Sequence, residues 1–233
     1  MIRFAFAALL AAAPVTAQTA ADLAAYRQRV ERLEDRDAIE NLQATYGYYF
    51  DKGLWDQVAA LFAARGTYEY GQRGVYIGPD RIRRALLLAG PAGPVAGHLN
   101  THMQLQGIVT VAADGRTATG RWQGMVMQAR PGDNGIWGVG LYENDYVKEG
   151  GRWKIAALHF YPVAMTDYDL GPMKSAYRME GPSALFPPDR PPTHVYRSFP
   201  GNFVPPFSYP HPVTGKPIPI VQGADSVLGE ARR

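Results

Sequence analysis

No cysteine occurs among the 233 residues, which removes disulfides, thiolate metal sites and a cysteine nucleophile together. Charge is sparse as well: charged residues make up 19% of the chain, the formal net charge is +3, and Arg81, Arg83 and Arg84 form the only basic cluster. On a helix those three would make a solvated face, so nucleic acid is not an expected partner. There is no GxSxG elbow and no GxxxxGKS/T loop, and Gly138-Val139-Gly140 runs into Leu141-Tyr142-Glu143 with no third glycine. These absences speak against nucleophile-elbow hydrolases, P-loop enzymes and dinucleotide binders. Long apolar runs are missing too. The longest covers residues 4–13, half of the roughly twenty residues that a bilayer span needs.

That short run has a different meaning. It follows Arg3 and leads through Pro14 to the small-residue ending Val15-Thr16-Ala17, the anatomy of a cleavable secretory leader over 1–17. An exported, periplasmic placement is therefore expected from these first residues rather than from composition, as is a soluble mature chain with no membrane span.

Helical periodicity follows. Leu23, Tyr26, Val30 and Leu33, then Ile39, Leu42, Tyr46 and Tyr49, recur at three and four, which predicts two or three helices before residue 62. Asp37 can start one of them, Lys52-Gly53 can end it, and residues 54–62 begin the next. A short strand over 67–70 and a helix opened by Pro79-Asp80 come after. Beyond Gly97 the period changes to two: residues 102–111, 117–127, 137–148 and 153–163 alternate, separated by glycine-bearing turns. Helices first and a meander afterwards describe an α+β layer architecture with a ligand-sized space between the layers.

Past Gly171 the composition shifts. The last 63 residues hold 13 of the 19 prolines, which forbids regular helix or central strand, and also seven aromatics: Tyr177, Phe186, Tyr196, Phe199, Phe203, Phe207 and Tyr209. So aromatic a segment reads as an extended arm packed on a surface, whether of its own subunit, a neighbour or the pocket mouth. In the last strand Trp153, Ile155, Ala157, His159 and Tyr161 alternate against Leu158 and Phe160, so both faces are apolar. One face should line the interior and the other should meet a second protein surface, which favours a homo-oligomer, a dimer or trimer.

Few residues suit chemistry. Asp51 follows Tyr48-Tyr49-Phe50, and a carboxylate in such a context is costly unless paired. His102 begins an alternating strand, from which an imidazole can point inward and serve as a general base. Tyr46 shares the helix with Asp51 but stands five residues away, about 140° around an ideal helix. His98 and His102 are four apart, yet they lead into a strand and lack a third ligand, so no metal site is expected.

Several of these segments together carry a resemblance. Asp35-Arg36-Asp37-Ala38-Ile39-Glu40-Asn41-Leu42-Gln43-Ala44-Thr45-Tyr46, Phe50-Asp51-Lys52-Gly53-Leu54-Trp55-Asp56, His102, Ala118-Thr119-Gly120-Arg121-Trp122 and Gly151-Arg152-Trp153-Lys154-Ile155 resemble the SnoaL-like branch of the nuclear transport factor 2-like superfamily, over roughly 35–161. The resemblance implies a cone-shaped α+β fold, a curved antiparallel-rich sheet wrapped on N-terminal helices. It divides the chain into a leader at 1–17, an N-terminal helix at 18–34, the domain at 35–165 and the arm at 166–233.

Within that branch the pattern is similar to the bile-acid 7α-dehydratases and, more loosely, the scytalone dehydratases, while the arm resembles exported relatives of the diarylpropane formaldehyde lyases. The resemblance implies acid–base catalysis without a cofactor by Tyr46, Asp51 and His102, with Tyr49, Lys52, Trp55, Trp122, Tyr142 and His159 around a small-molecule substrate. A second acidic position of the bile-acid enzymes falls at Val126, so the proton path or the substrate differs here. The expectation is a lyase releasing water or formaldehyde from a hydroxylated aromatic or polycyclic compound. A ketosteroid-isomerase-like isomerase and a non-catalytic binding domain are the alternatives.

Overall fold

The computed structural model describes residues 19–133, 135–176, 179–223 and 226–229. The leader expected at 1–17 lies outside them. The first element, α1 (Ala20–Asp51), is one unbroken helix of 32 residues, and with the helix at Trp55–Ala60 it makes two before residue 62, as the periodicity predicts. It opens on a capping box in which Thr19 Oγ1 accepts from the Asp22 amide at 3.2 Å and Asp22 accepts from the Thr19 amide at 3.0 Å. Asp37 starts nothing, because no glycine or proline interrupts the run and the neighbouring Asp35 carboxylate is held from outside the helix. Trp153 Nε1 donates to it at 2.8 Å and Lys148 pairs with it. From there Asp35, Ile39, Gln43, Tyr46, Gly47 and Phe50 form the buried face, at the three-and-four spacing of a helix lying on a sheet.

Gly53, at φ +64°, ends the run. A Cβ there would come within 3.0–3.1 Å of the backbone at Gly93 and Pro91, so only glycine lets the chain turn so close to that loop. The chain then forms α2 (Trp55–Ala60), β1 (Phe62–Tyr70), β2 (Val75–Ile77) and α3 (Pro79–Leu86), followed by β3 (Leu99–Val111), β4 (Thr117–Ala129), β5 (Ile136–Glu149) and β6 (Arg152–Asp167). The six strands make one sheet in the order β2-β1-β6-β5-β4-β3, antiparallel except for the β1–β6 pair. Helix α1 crosses one face and packs on β3 and β6. The core of Ile39, Tyr46, Phe50, Val126, Tyr142, Ile155, Leu158 and Phe160 lies between them.

Strand β6 departs from simple alternation. Asp145 pairs with Ala157 and Tyr146 with Ile155, which leaves Ala156 as an extra residue. A bulge of this kind shifts the phase by one, so Trp153 and Ile155 before it and Leu158 and Phe160 after it all enter the same core. His159 and Tyr161 are thereby turned to the other face, away from Trp153 and Ile155.

That other face is covered by the chain's own arm, not by a neighbour. Tyr161, Tyr196 and Phe203 form a second apolar cluster, with the Tyr196 and Phe203 rings stacked at 4.3 Å. Polar contacts tie the arm to β1 and β2: Thr193 N donates to Glu69 at 2.7 Å, Gln72 Nε2 to the Tyr196 carbonyl at 2.7 Å, and Tyr76 Oη to the Phe186 carbonyl at 2.7 Å. Arg81 pairs with Asp189 at 3.0 Å. Regular structure in the arm is limited to a small ladder between β7 (Val195–Tyr196) and β8 (Val227–Gly229), as its proline density requires. The apolar outer face of β6 therefore gives no ground for an oligomer. Among the described residues no helix is long and apolar enough to cross a membrane.

The arm should contribute substantially to stability. Phe203→Ala is expected to cost about 3 kcal/mol in chemical denaturation, the usual penalty for emptying a buried aromatic site.

Candidate active site

Two elements that are distant in sequence meet at the open end of the sheet. Asp51 is the last residue of α1, and His102 is the fourth residue of β3. A carboxylate is unfavourable at a helix C-terminus, where the backbone carbonyls already carry negative potential. Here it is offset on both oxygens: His102 Nδ1 lies 3.1 Å from Asp51 Oδ1, and Thr101 Oγ1 donates to Oδ2 at 3.3 Å. The Phe50 ring meets the imidazole edge-on at 4.5 Å, and the His102 side chain is 3% exposed. Directly opposite His102 on β4 stands Val126, which gives the imidazole an apolar neighbour. With Nδ1 engaged by the carboxylate, the imidazole is oriented and Nε2 is left for other chemistry.

Tyr46 does not join this pair directly. The helix keeps its pitch through Asp51, so Tyr46 points into the sheet, edge-on to Tyr142 at 6.2 Å and hydrogen-bonded to the Tyr68 hydroxyl. Burial pushes the Tyr46, Tyr68 and Tyr142 phenols above their ordinary pKa. In Tyr142 the nearby Asp51 charge adds to that effect. Such phenols stay protonated and act as hydrogen-bond donors rather than bases.

A cleft of about 370 Å³ opens at this end, within the range for small-molecule sites. Asp51, Lys52, Trp55, Asn100, Gln128 and Arg130 are among its lining. Gln128 donates to Asn100 at 3.0 Å and also borders a smaller cavity of about 140 Å³ with Tyr70 and Met165. Trp55 is fixed by its Nε1 donating to the Gly90 carbonyl at 3.1 Å. Asp51 thus lines the cleft and holds His102, which is not itself part of the lining.

A family profile described as SnoaL-like domain matches residues 31–159, more than half of the chain. The protein belongs to this SnoaL-like family. Solved structures agree in fold. A candidate scytalone dehydratase from Novosphingobium aromaticivorans is 19% identical, with a TM-score of 0.53 over 67% of this chain and 97% of that one. An NTF2-like protein with a cystatin-like fold, also from N. aromaticivorans, is 23% identical, with a TM-score of 0.50 over 62% and 90%. A hexachlorocyclohexane dehydrochlorinase, LinA type 2, is 21% identical, with a TM-score of 0.52 over 60% and 92%. No curated protein matches the sequence significantly.

The SnoaL-like domain distributes the sequence-predicted binding residues unevenly. Lys52 and Trp55 line the cleft, whereas Tyr142 is buried in the core, within electrostatic reach of Asp51. Tyr49 is partly buried against the core instead. Trp122 fills the space left by Gly107 and Gly120 and meets Tyr146 edge-on at 5.8 Å, away from the cleft lining. Thr101, Asn100, Gln128 and Tyr68 were not singled out from sequence. Their common signal is position, at strand ends beside His102 or facing Tyr46, which becomes visible only once the strands are paired.

His159 is displaced furthest, because the β6 bulge puts it beneath the arm. There it stacks on Tyr161 at 3.6 Å, with Nδ1 3.4 Å from Glu69, and burial holds its pKa well below the ordinary value. Nearby, Glu143 pairs with Arg121, whose NH1 also donates to the Pro206 carbonyl in the arm. Burial pushes the Glu143 pKa up to about 7, although Arg121 opposes the shift. A raised acid pKa stabilises the fold fully below the unfolded value of 4.5 and loses that contribution as pH rises through about 7. The stability of the parent relative to Glu143→Gln should therefore fall between about pH 5 and about pH 8, as read by paired thermal melts.

Proposed function

We propose that this protein is a cofactor-independent lyase that eliminates water or formaldehyde from a hydroxylated aromatic or polycyclic small molecule, such as a lignin-derived dimer. The observation that carries this reading is the Asp51–His102 contact of 3.1 Å behind the cleft. Asp51 fixes the imidazole tautomer with Nδ1 protonated, so Nε2 is the base. In loss of water, Nε2 takes a proton from the carbon next to the C–O bond, the electron pair forms the double bond, and the hydroxyl receives that proton from the imidazolium as the C–O bond breaks, leaving as water. A buried phenol, Tyr142 or Tyr46, donates the hydrogen bond that stabilises the departing oxygen. In loss of formaldehyde, Nε2 takes the proton from a hydroxymethyl oxygen, the C–C bond breaks to release formaldehyde, and the carbon that keeps the electron pair takes the proton back from the imidazolium. Lys52 at the cleft rim and Trp55 in its wall hold the substrate.

Two fold relatives, the candidate scytalone dehydratase and the dehydrochlorinase, are named for eliminations, which supports the reaction class. A second reading, double-bond isomerisation, draws on the neutral Tyr46–Tyr68–Tyr142 cluster, which could equally stabilise a developing enolate oxygen. The proposed site of action is the periplasm, reached through the leader at 1–17.

The test is incubation of the purified protein with a panel of hydroxylated aromatic dimers and steroids, with product masses recorded. Elimination lowers the mass by water or formaldehyde, isomerisation conserves it, and binding without conversion would overturn both. His102→Ala should cut turnover at least about a hundredfold, the lower range for loss of a positioned base, with the circular dichroism spectrum unchanged. Near-normal turnover in that variant defeats the assignment. Tyr142→Phe should cost less, roughly tenfold or more, since it removes a hydrogen bond and not the base.

A further inference from the structure

Every residue from 19 to 34 is exposed, so the first half of α1 stands clear of its own domain on all sides. Fifteen helical residues amount to a projection of roughly 22 Å. A helix of that length is marginal in water on its own, and its stability ordinarily comes from burying an apolar stripe. Such a stripe is present: Leu23, Tyr26, Val30 and Leu33 are each more than half exposed. Their spacing of three, four and three is the a and d pattern of a heptad, with Val30 at a and Leu33 at d, the arrangement that favours two strands. The stripe stops at Asp37, close to where Asp35 enters the domain's own core.

The charges beside the stripe say what should cover it. In this heptad the g positions are Asp22 and Arg29 and the e positions are Arg27 and Glu34. Arg27, Arg29 and Glu34 have no intrachain ion pair among the described residues. In a parallel, in-register pair each g residue faces the e residue five places on in the other helix. Asp22 then meets Arg27 and Arg29 meets Glu34, twice each by symmetry, and all four pairs are attractive. The antiparallel alternative with the same core contacts brings Arg29 against Arg29 and Arg27 against Arg27. A lipid surface fits less well, because residues 19–36 carry four arginines and four acids and have no net charge.

We propose that residues 20–34 of two copies of this chain pair in parallel as a short coiled coil, joining two domains through the projecting half of α1. The helix needs no separate nucleation for this, since its second half is already held on the sheet. The surface lies mostly outside the family-matched segment, which begins at residue 31, and the inference does not depend on the proposed lyase activity.

The absence of cysteine makes the test direct. Sedimentation of the full chain should show a dimer, and the triple variant Leu23→Glu/Val30→Glu/Leu33→Glu should sediment as a monomer with an unchanged near-ultraviolet spectrum. Leu33→Cys should cross-link to itself under mild oxidation, while Gln28→Cys on the outward face should not. Arg29→Glu should weaken dimerisation roughly tenfold, and the added change Glu34→Arg should restore it. A monomeric parent, a triple variant that stays dimeric, equal cross-linking at positions 28 and 33, or capture on anionic vesicles without self-association would each overturn the proposal.

Discussion

A sheet that is apolar on both faces has to be covered twice, and most of this molecule follows from that constraint. Water removed from Ile155, Leu158 and Phe160 on one face and from Tyr161 on the other is the main favourable term available, at about 25 cal/mol for each Å² buried. Helix α1 supplies the inner cover. The proline-rich arm supplies the outer one, using aromatic side chains because its backbone cannot form a further layer of regular structure. With the arm in place the sheet no longer needs a neighbour on that face. Bare apolar side chains remain elsewhere, among them those on the free half of α1, on edge strand β3 and at several points of the arm.

The same two covers separate two electrostatic settings. On the inner side, Asp51 is offset by hydrogen bonds on both oxygens and stands at the edge of an opening, so its charge is kept where a ligand can approach. The phenols behind it are fully dry and remain neutral donors. On the outer side Glu69, Glu143 and His159 are also buried, yet each shift runs toward the uncharged form; Glu69 is held by Thr193 of the arm, and Arg121, the partner of Glu143, donates to the arm's Pro206 carbonyl. Ionisable groups under the arm thus serve cohesion. Those at the cleft keep an orientation, a base nitrogen and donors that chemistry could use.

How much of this was legible beforehand depended on the range of the signal. Local signals carried well: the alternation of β3 to β6, the proline and glycine stops, and the cost of a carboxylate after three aromatics each pointed to what is seen. The β6 bulge was invisible, because strict alternation from Trp153 to Tyr161 looks unbroken until Ala156 is found without a partner. That single extra residue moved His159 out of the expected cavity. Helix continuity through Asp37 was equally hidden, since it rests on Trp153 and Lys148, more than a hundred residues away, holding the adjacent Asp35. Thr101 and Gln128 were missed for a related reason, as their roles arise from partners in other elements.

The angular relation between Tyr46 and Asp51 shows how such a local rule decides the site. Five helical residues turn the side chain through about 140°, and nothing in α1 tightens to cancel that rotation. Tyr46 must then serve the interior while Asp51 serves the rim. Tyr142 bridges the gap because it comes from β5, beneath both: its ring lies 6.2 Å from that of Tyr46, and its hydroxyl senses Asp51. A phenol within electrostatic reach of Asp51 is therefore supplied by the sheet rather than by the helix, and its position depends on the β4–β5–β6 pairing. Site geometry and sheet register are, in this protein, one and the same property.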